Sequence, residues 1–309
     1  MPVHEVSPGR YRWGTKGKVY SSRAAAARQG RAAYANGYRE DQLRKLAKHL
    51  KASTKAETNY VIDVGKVLGG VHAAAMHIVH RELRPDAGTA AEPGMRHDAG
   101  GMPGARRRLG MLWGQMASWV RHKVDAAFGR MSADMNVTAE RGAALIGIPR
   151  ARVPGLPSVV DAARAENVAL ITNASRTFLE QVRQTLEEHE DSPPEQLSKA
   201  LQERVDVSKS RGQLIARDQT LKLNAAVNAH RQQSAGVTKY RWSTSQDERV
   251  RPGHQRLNGK VFSWDDPPET NEDGDTNNPG EDFQCRCIGL PFIEELESEP
   301  DDEPADDDG

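Results

Sequence analysis

The segment that decides the fold spans residues 239–292 and reads KYRWSTSQDERVRPGHQRLNGKVFSWDDPPETNEDGDTNNPGEDFQCRCIGLPF. Both cysteines of the protein lie here, two positions apart, as Cys285 and Cys287. Side chains two positions apart in an extended segment point to the same face, so we predict that the two thiols are neighbours. A disulfide between them would close a very small ring and would be strained. The pair therefore favours a shared ligand, and His254 supplies an imidazole earlier in the segment.

One histidine and two cysteines form a donor set that suits structural zinc, because zinc binds thiolate sulfur and imidazole nitrogen. We predict His254, Cys285 and Cys287 as ligands, with Asp247 or water in the fourth position. Two other interpretations stay open. The cysteines either pack as small apolar residues beside a hydrogen-bonded histidine, or they form a catalytic cysteine–histidine pair, for which the sequence offers no recognisable third residue.

Charged residues flank His254 and the two cysteines in the sequence. The basic ones are Arg249, Arg251 and Arg286, and the acidic ones are Asp247, Glu248 and Asp282. The guanidinium group matches the geometry of a carboxylate, so we predict an ion-pair network that fixes the loops. Phosphate binding by the arginines is the alternative.

The order and spacing of these residues are similar to those of a known family. The matching positions are Tyr240-x-Trp242-x-x-Ser245-x-Asp247-x-Arg249-Val250-Arg251-x-x-His254-x-x-Leu257-x-Gly259-Lys260-x-Phe262, then Pro279-Gly280-x-Asp282-x-x-Cys285-Arg286-Cys287. The segment resembles the MuF domain, the C-terminal domain of phage Mu F-type minor head proteins, also called phage head morphogenesis proteins. The resemblance covers about residues 159–292, close to half of the chain.

The resemblance implies a structural minor head protein of a tailed phage or prophage, and not an enzyme. Family members are low-copy virion components at the portal vertex and capsid interior, and they assemble in the host cytoplasm. The expected partners are the portal protein, the major capsid protein or both, with non-specific DNA contact in addition. The expected role is in head morphogenesis and in DNA packaging or ejection. The alternatives are a nucleic-acid-binding accessory protein and an effector enzyme linked to a MuF domain.

Charge is distributed unevenly along the 309 residues, although the formal net charge is zero. Residues 1–150 carry 25 Lys and Arg against 12 Asp and Glu, whereas residues 151–309 carry 18 against 31. Such polarity predicts partners of opposite sign at the two ends. The last sixteen residues hold ten acids and no base, so we predict a disordered acidic tail over 294–309.

The pattern of apolar residues predicts a mainly α protein with a small β unit near the C-terminus (α+β), and an elongated shape. Aromatic residues make up only 5% of the chain, which predicts small aliphatic cores. The predicted domains are an N-terminal hairpin–helix module (1–40), a basic helical region (41–150) with a flexible linker (84–104), a MuF-like domain (151–293) and the acidic tail (294–309).

Several helices follow from apolar stripes and capping signals. They are predicted at 22–36, 41–51, 54–79, 105–131, 167–188, 192–203 and 208–233. Strands are predicted near 239–243, 260–262 and 285–291. His72, His77 and His80 fall on one helix and are predicted to be surface or interface residues.

The sequence contains none of the familiar catalytic signatures. It has no phosphate-binding glycine loop, no Gly-x-Ser-x-Gly and no His-Glu-x-x-His. It shows no signal peptide pattern, and the most apolar helix, Val61–Val79, is expected to be too polar for a membrane span because Asp63, Lys66, His72 and His77 interrupt it. We therefore expect a protein that is made in a cytoplasm and contacts no membrane.

Overall fold

The computed structural model describes residues 3–13, 18–27, 39–83, 101–145 and 153–292. The helices are α1 (Arg39–Leu50), α2 (Thr54–Leu83), α3 (Met102–Leu145), α4 (Leu156–Glu188), α5 (Pro194–Ser234) and α6 (Pro252–Leu257). The strands are β1 (Val3–Ser7), β2 (Arg10–Trp13), β3 (Val19–Tyr20), β4 (Lys239–Ser243), β5 (Val261–Ser263) and β6 (Ile288–Phe292). The prediction of a mainly α protein with a small β unit near the C-terminus is confirmed.

The chain divides into two compact units. The strand-containing unit comprises Met1–Ser53, Asp134–Val159 and Leu221–Gly309, and the helical unit comprises Thr54–Ala133 and Val160–Thr220. Helices α3, α4 and α5 each contribute residues to both units. The domain boundaries that we derived from the sequence stay a prediction.

Helix α2 is central to the helical unit because its apolar stripe is buried against three other helices. The stripe contains Val64, Leu68, Val71 and Ala75, as the sequence periodicity predicts. Tyr60 meets Phe128 of α3 edge to face, with ring centroids 6.4 Å apart. Gly212 lets α5 approach α2 closely, since a Cβ on Gly212 would lie 2.1 Å from Cδ1 of Leu68.

Polar contacts also fix α2 within this unit. The hydroxyl of Tyr60 donates a short hydrogen bond to the buried Asn167 of α4. His72 lies 2.9 Å from the hydroxyl oxygen of Ser208 on α5 and packs on Phe178 of α4, with ring centroids 4.3 Å apart. His72 is only 5% exposed, so the expectation that it is a surface or interface residue is wrong.

The C-terminal sheet positions the site. Its strand order is β5-β4-β6, and both outer strands run antiparallel to β4. The core beside it contains Tyr240, Trp242, Leu257, Trp264, Cys285 and Cys287. This core is aromatic, contrary to the expectation of aliphatic cores, because six of the sixteen aromatic residues of the chain fall between residues 239 and 292.

Helix α1 completes the strand-containing unit although it lies far away in the sequence. Its Leu46 and Leu50 pack with Ile288 and Leu290 of β6. The Leu50 carbonyl accepts hydrogen bonds from the side-chain amides of Asn224 at 2.7 Å and Asn228 at 3.0 Å, which satisfies an otherwise unpaired carbonyl at the helix end.

A second three-stranded antiparallel sheet, in the order β1-β2-β3, lies at the N-terminus. The sequence predicted only a hairpin over Tyr11–Tyr20, because the mostly exposed strand β1 carries no apolar alternation. Ser22 caps the helical residues 23–27, since its hydroxyl oxygen accepts the Ala25 N–H at 3.2 Å.

Helix boundaries differ from the predicted ones in three places. Helix α3 runs on to Leu145 because Met131, Met135 and Ala139 extend its buried stripe. Helix α4 begins at Leu156, eleven residues before the predicted start. The two helices predicted over 192–233 are one helix, α5, since no glycine or proline interrupts residues 203–208.

Other predictions fall wholly or partly outside the described residues. The predicted helix lies outside them over 28–36, the predicted linker over 84–100, and the acidic tail over 294–309. Within the described part of the linker, residues 102–104 form the first turn of α3 and are therefore helical.

Among the described residues, one stretch is long and apolar enough to cross a membrane by length and composition. It is Lys45–Leu83, which contains an 18-residue window of mean hydropathy 1.2. The expectation that this helix is too polar for a membrane span is therefore not met by this measure. Core helices of soluble proteins satisfy the same criterion, and α2 places nine residues in the interior of the helical unit.

The first testable prediction concerns acid stability. Burial, and then the charge of Lys209, lower the pKa of His72 to about 4, while Asp206 opposes this. Above pH 6.5 His72 is neutral in both the folded and the unfolded protein and has no effect. Between pH 6.5 and 4 only the unfolded chain binds the proton, so His72 destabilises the fold by up to about 3 kcal/mol as the pH falls.

We therefore expect His72→Gln to flatten the decline of the melting temperature between pH 6.5 and 4, as followed by circular dichroism. His77→Gln, at an exposed position of the same helix, is the matched control and should leave the decline unchanged. Equal pH dependence of His72→Gln and the native protein would contradict the assignment.

Candidate metal centre

The short helix α6 carries the histidine of the site. Pro252 stands at its first turn, where a missing N–H costs nothing, and the preceding Arg251 is extended, with φ of −63°. Within α6, His254 and Leu257 face inward, and His254 is only 3% exposed. No helix is predicted at this position from the sequence, which indicates only a strand near 260–262 after His254.

Gly253 lets α6 pack against the polar loop that follows β5. A Cβ on Gly253 would lie 2.0 Å from the carbonyl oxygen of Thr270, so any side chain larger than hydrogen would push the loop away. The same loop is held by the side chain of Asn271, whose oxygen accepts the N–H groups of Asp273 and Asp275. This close contact fixes the position of His254 relative to the loop.

Cys285 closes a turn, and Cys287 lies in the short segment between that turn and β6, so neither cysteine is in a strand as predicted. The Cys285 N–H donates to the carbonyl of Asp282 at 3.0 Å, and Gln284 adopts a left-handed conformation with φ of +55°. Strand β6 begins at Ile288, one residue after Cys287. The two thiols are nevertheless neighbours, as predicted, because both face His254.

Three donor atoms converge at the centre of this arrangement. The Sγ atoms of Cys285 and Cys287 each lie 3.5 Å from Nδ1 of His254. All three donor atoms lie within 4.8 Å of one another, and the cysteines are only 3% and 6% exposed. Such a buried cluster of one nitrogen and two sulfurs can hold a metal ion.

The opposite edge of the imidazole is held by a carboxylate. His254 Nε2 donates to Oδ2 of Asp282 at 2.9 Å, and Asn277 donates to the other carboxylate oxygen at 3.0 Å. Asp282 was predicted to belong to an ion-pair network, and its contact with His254 was not predicted. The only signal in the sequence is its position three residues before the first cysteine.

Protonation within the cluster is coupled. The pKa of Cys285 is lowered, mainly by its hydrogen bond with Cys287 and also by that with His254. The pKa of Cys287 is raised, first by Cys285 and then by burial, while Trp242 opposes the rise. The hydrogen bond with Cys285 raises the pKa of His254 against the effect of burial. Cys285 therefore releases its proton more readily than Cys287 does.

The fourth predicted ligand, Asp247, lies elsewhere. Both of its carboxylate oxygens accept hydrogen bonds from the guanidinium of Arg286, one of them at 2.6 Å. This contact lowers the pKa of Asp247 to about 2. Arg286 stands between the two cysteines, so the ion pair braces the turn from outside. The predicted network of arginines and carboxylates is thus present for this pair.

A family model described as Phage Mu protein F like protein matches residues 176–289, which include all three donors. This segment is a phage Mu F-like domain. The MuF resemblance that we inferred from residue order is thereby confirmed, over a slightly shorter range than the predicted 159–292.

A relative of this chain occurs in Haemophilus influenzae strain Rd, where it bears the description "Uncharacterized protein". The two are 34% identical over 146 residues. The matched part covers 47% of this chain and 32% of the relative, so the chain spans about a third of the relative's length. No solved structure matches the chain.

Proposed function

We propose that the protein is a structural minor head protein of a tailed phage or prophage, with a role in head morphogenesis and in DNA packaging or ejection. The observation that supports this most is the match over residues 176–289 to the Mu F-like family, a family of phage head morphogenesis proteins. The match includes the C-terminal strands β4 and β5, helix α6 and the three converging donors.

The proposed location is the virion, at the portal vertex on the capsid interior, with assembly in the host cytoplasm. The proposed partners are the portal protein, the major capsid protein or both. Unequal charge along the chain supports docking between oppositely charged surfaces, because residues 1–150 carry an excess of 13 positive charges.

We further propose that His254, Cys285 and Cys287 bind one structural zinc ion. A tetrahedral zinc with a Zn–S distance of about 2.3 Å and a Zn–N distance of about 2.0 Å separates sulfur from nitrogen by about 3.5 Å. Both sulfur–nitrogen distances here are 3.5 Å. The fourth position falls to water, because the Asp247 carboxylate is engaged by Arg286.

A zinc ion at this position would supply folding free energy to the strand-containing unit. The cysteines belong to the aromatic core with Tyr240, Trp242 and Trp264, so the ion would join helix α6 to that core. The buried indole N–H of Trp242 lies beside Cys287 and lowers its pKa, so thiolate charge there would interact favourably with it.

Free DNA binding is the less favoured alternative function. Arg106-Arg107-Arg108 is the longest basic run of residues 1–150. Arg106 lies 3.2 Å from Glu190, and Arg108 lies 2.8 Å from Glu82. Two members of the run are therefore paired with carboxylates within the helical unit and are less available to phosphate groups.

An effector enzyme is the other alternative. The catalytic interpretation of Cys285 and His254 requires that substrate reaches the sulfur, but Cys285 is 3% exposed. Burial of both thiols supports the structural interpretation.

We predict that the purified protein contains close to one equivalent of zinc by elemental analysis. Cys285→Ser combined with Cys287→Ser should lose the zinc and lower the melting temperature by about 5 °C or more, because binding free energy contributes to folding. His77→Gln, which changes an exposed histidine outside the centre, should retain both. A native protein that neither contains zinc nor takes it up on titration would refute the zinc proposal.

We predict that purified phage or prophage particles contain the protein in far fewer copies than the major capsid protein. Quantitative mass spectrometry of intact particles, with the major capsid protein as the internal standard, measures this ratio. Absence from particles that contain a complete set of the other head proteins would refute the proposed function.

We predict weak DNA binding by the full-length protein. At roughly physiological salt, the dissociation constant for a duplex without sequence preference should be about 1 μM or weaker. Fluorescence anisotropy over a series of salt concentrations measures both affinity and its salt dependence. Nanomolar binding with a steep salt dependence would instead favour the nucleic-acid-binding alternative.

A further inference from the structure

We propose that Asp282 is the positioning residue of the metal centre, because it selects the tautomer of His254 that can bind an ion. This inference rests on the proposed zinc centre and adds a residue that is not itself a ligand. Its basis is the contacts of Asp282 with His254, Cys285 and Asn277.

The carboxylate of Asp282 sets the tautomer of His254. An ionised carboxylate only accepts hydrogen bonds, so Asp282 requires the proton of the neutral imidazole to be on Nε2. The lone pair then lies on Nδ1, the atom 3.5 Å from both sulfurs. A carboxylate that holds the second nitrogen of a metal-binding histidine fixes the ring and makes it a stronger donor.

Asp282 also holds the first of the two cysteines. Backbone and side chain of Asp282 serve different ligands: the carbonyl accepts the Cys285 N–H at 3.0 Å, and the carboxylate holds His254 at 2.9 Å. One residue therefore sets the position of the turn and the orientation of the ring. Because the two ligand-bearing segments meet at this residue, its side chain connects α6 to the cysteine turn.

The carboxylate of Asp282 is itself held in place by Asn277, which also contacts Thr270. Asn277 donates to Oδ1 of Asp282 at 3.0 Å, and its amide also reaches the hydroxyl oxygen of Thr270 at 3.2 Å. Thr270 is 2% exposed and is the residue whose carbonyl lies against Gly253 of α6. The carboxylate therefore has one oxygen directed to the loop and the other to His254.

This arrangement makes the effect of one substitution specific. In Asp282→Asn, Asn277 still offers an N–H donor, so the new amide turns its oxygen toward Asn277 and its NH2 group toward His254. That NH2 group donates to Nε2 and selects the tautomer with the proton on Nδ1. The nitrogen that faces the sulfurs then carries a proton and binds an ion only after that proton is lost.

The same contacts also resemble a cysteine–histidine–aspartate nucleophile arrangement. Two observations favour a metal ligand set instead. The two sulfurs are equally distant from Nδ1, whereas a nucleophile requires one, and both thiols are buried.

The experiment compares Asp282→Asn with Asp247→Asn in the full-length protein. Zinc affinity is measured by competition with a chromophoric chelator, and the tautomer of His254 is read from two-bond 1H–15N spectra of the metal-free, histidine-labelled protein. The His254→Gln protein identifies the signal. Asp247 is the matched control, because the same substitution there disturbs the contacts with Arg286 and Arg249 and leaves Asp282 and the three donors in place.

We expect Asp282→Asn to weaken zinc binding about 10–100-fold and to move the proton from Nε2 to Nδ1, whereas Asp247→Asn changes the affinity less than about threefold. A native protein that binds zinc with an affinity unaffected by Asp282→Asn would overturn this inference and leave the zinc centre intact. A native protein that binds no zinc would refute the centre, and the metal-free spectra would still test the tautomer.

Asn277→Ala covers the case in which Asp282→Asn fails to fold, and the double variant tests the orientation of the new amide in the case in which Asp282→Asn folds. Asn277→Ala leaves every ligand and the carboxylate in place and should weaken zinc binding several-fold without moving the proton. Combined with Asp282→Asn, it frees the new amide to turn its oxygen to His254, so the double variant should bind zinc more tightly than Asp282→Asn alone. Native affinity in Asn277→Ala would overturn the proposed support.

Discussion

The convergence of two thiols on one imidazole nitrogen determines the structure of the C-terminal segment. Cys285 and Cys287 face Nδ1 of His254 only because a turn precedes β6 and because α6 presents the histidine from the opposite side. Both elements are short and would have little stability alone. Their positions depend on this polar cluster and on the aromatic core around it.

Much of the helical structure could be predicted from the sequence, because apolar residues recur with helical spacing. Most of the predicted stripes of α2 and α3 is buried, although Val61 and Ile78 at the ends of the α2 stripe are only partly buried. Boundaries were less predictable. Two helices were predicted at 192–203 and 208–233, with a break between them. Because residues 203–208 contain neither glycine nor proline, α5 continues through this interval.

The candidate site was also predictable only in part. Residue types and spacing were sufficient to identify His254, Cys285 and Cys287, since few alternatives exist in a chain with two cysteines. The partner of His254 was not predictable, because Asp247 lies near His254 in the sequence whereas Asp282 lies near Cys285. The choice depends on the path of the chain, in which Arg286 engages Asp247 and leaves Asp282 to the imidazole. Likewise, the turn at Gln284 depends on a left-handed conformation that glutamine rarely adopts.

The packing of α1 on the last strand has a consequence for synthesis on the ribosome. Leu46 and Leu50 emerge early, but their partners Ile288 and Leu290 are translated more than two hundred residues later. The Leu50 carbonyl also waits for Asn224 and Asn228. The strand-containing unit therefore completes its folding only after β6 has been translated, and until then the nascent chain exposes the apolar side chains of α1. Premature termination before β6 would consequently destabilise the N-terminal helix as well as the C-terminal sheet.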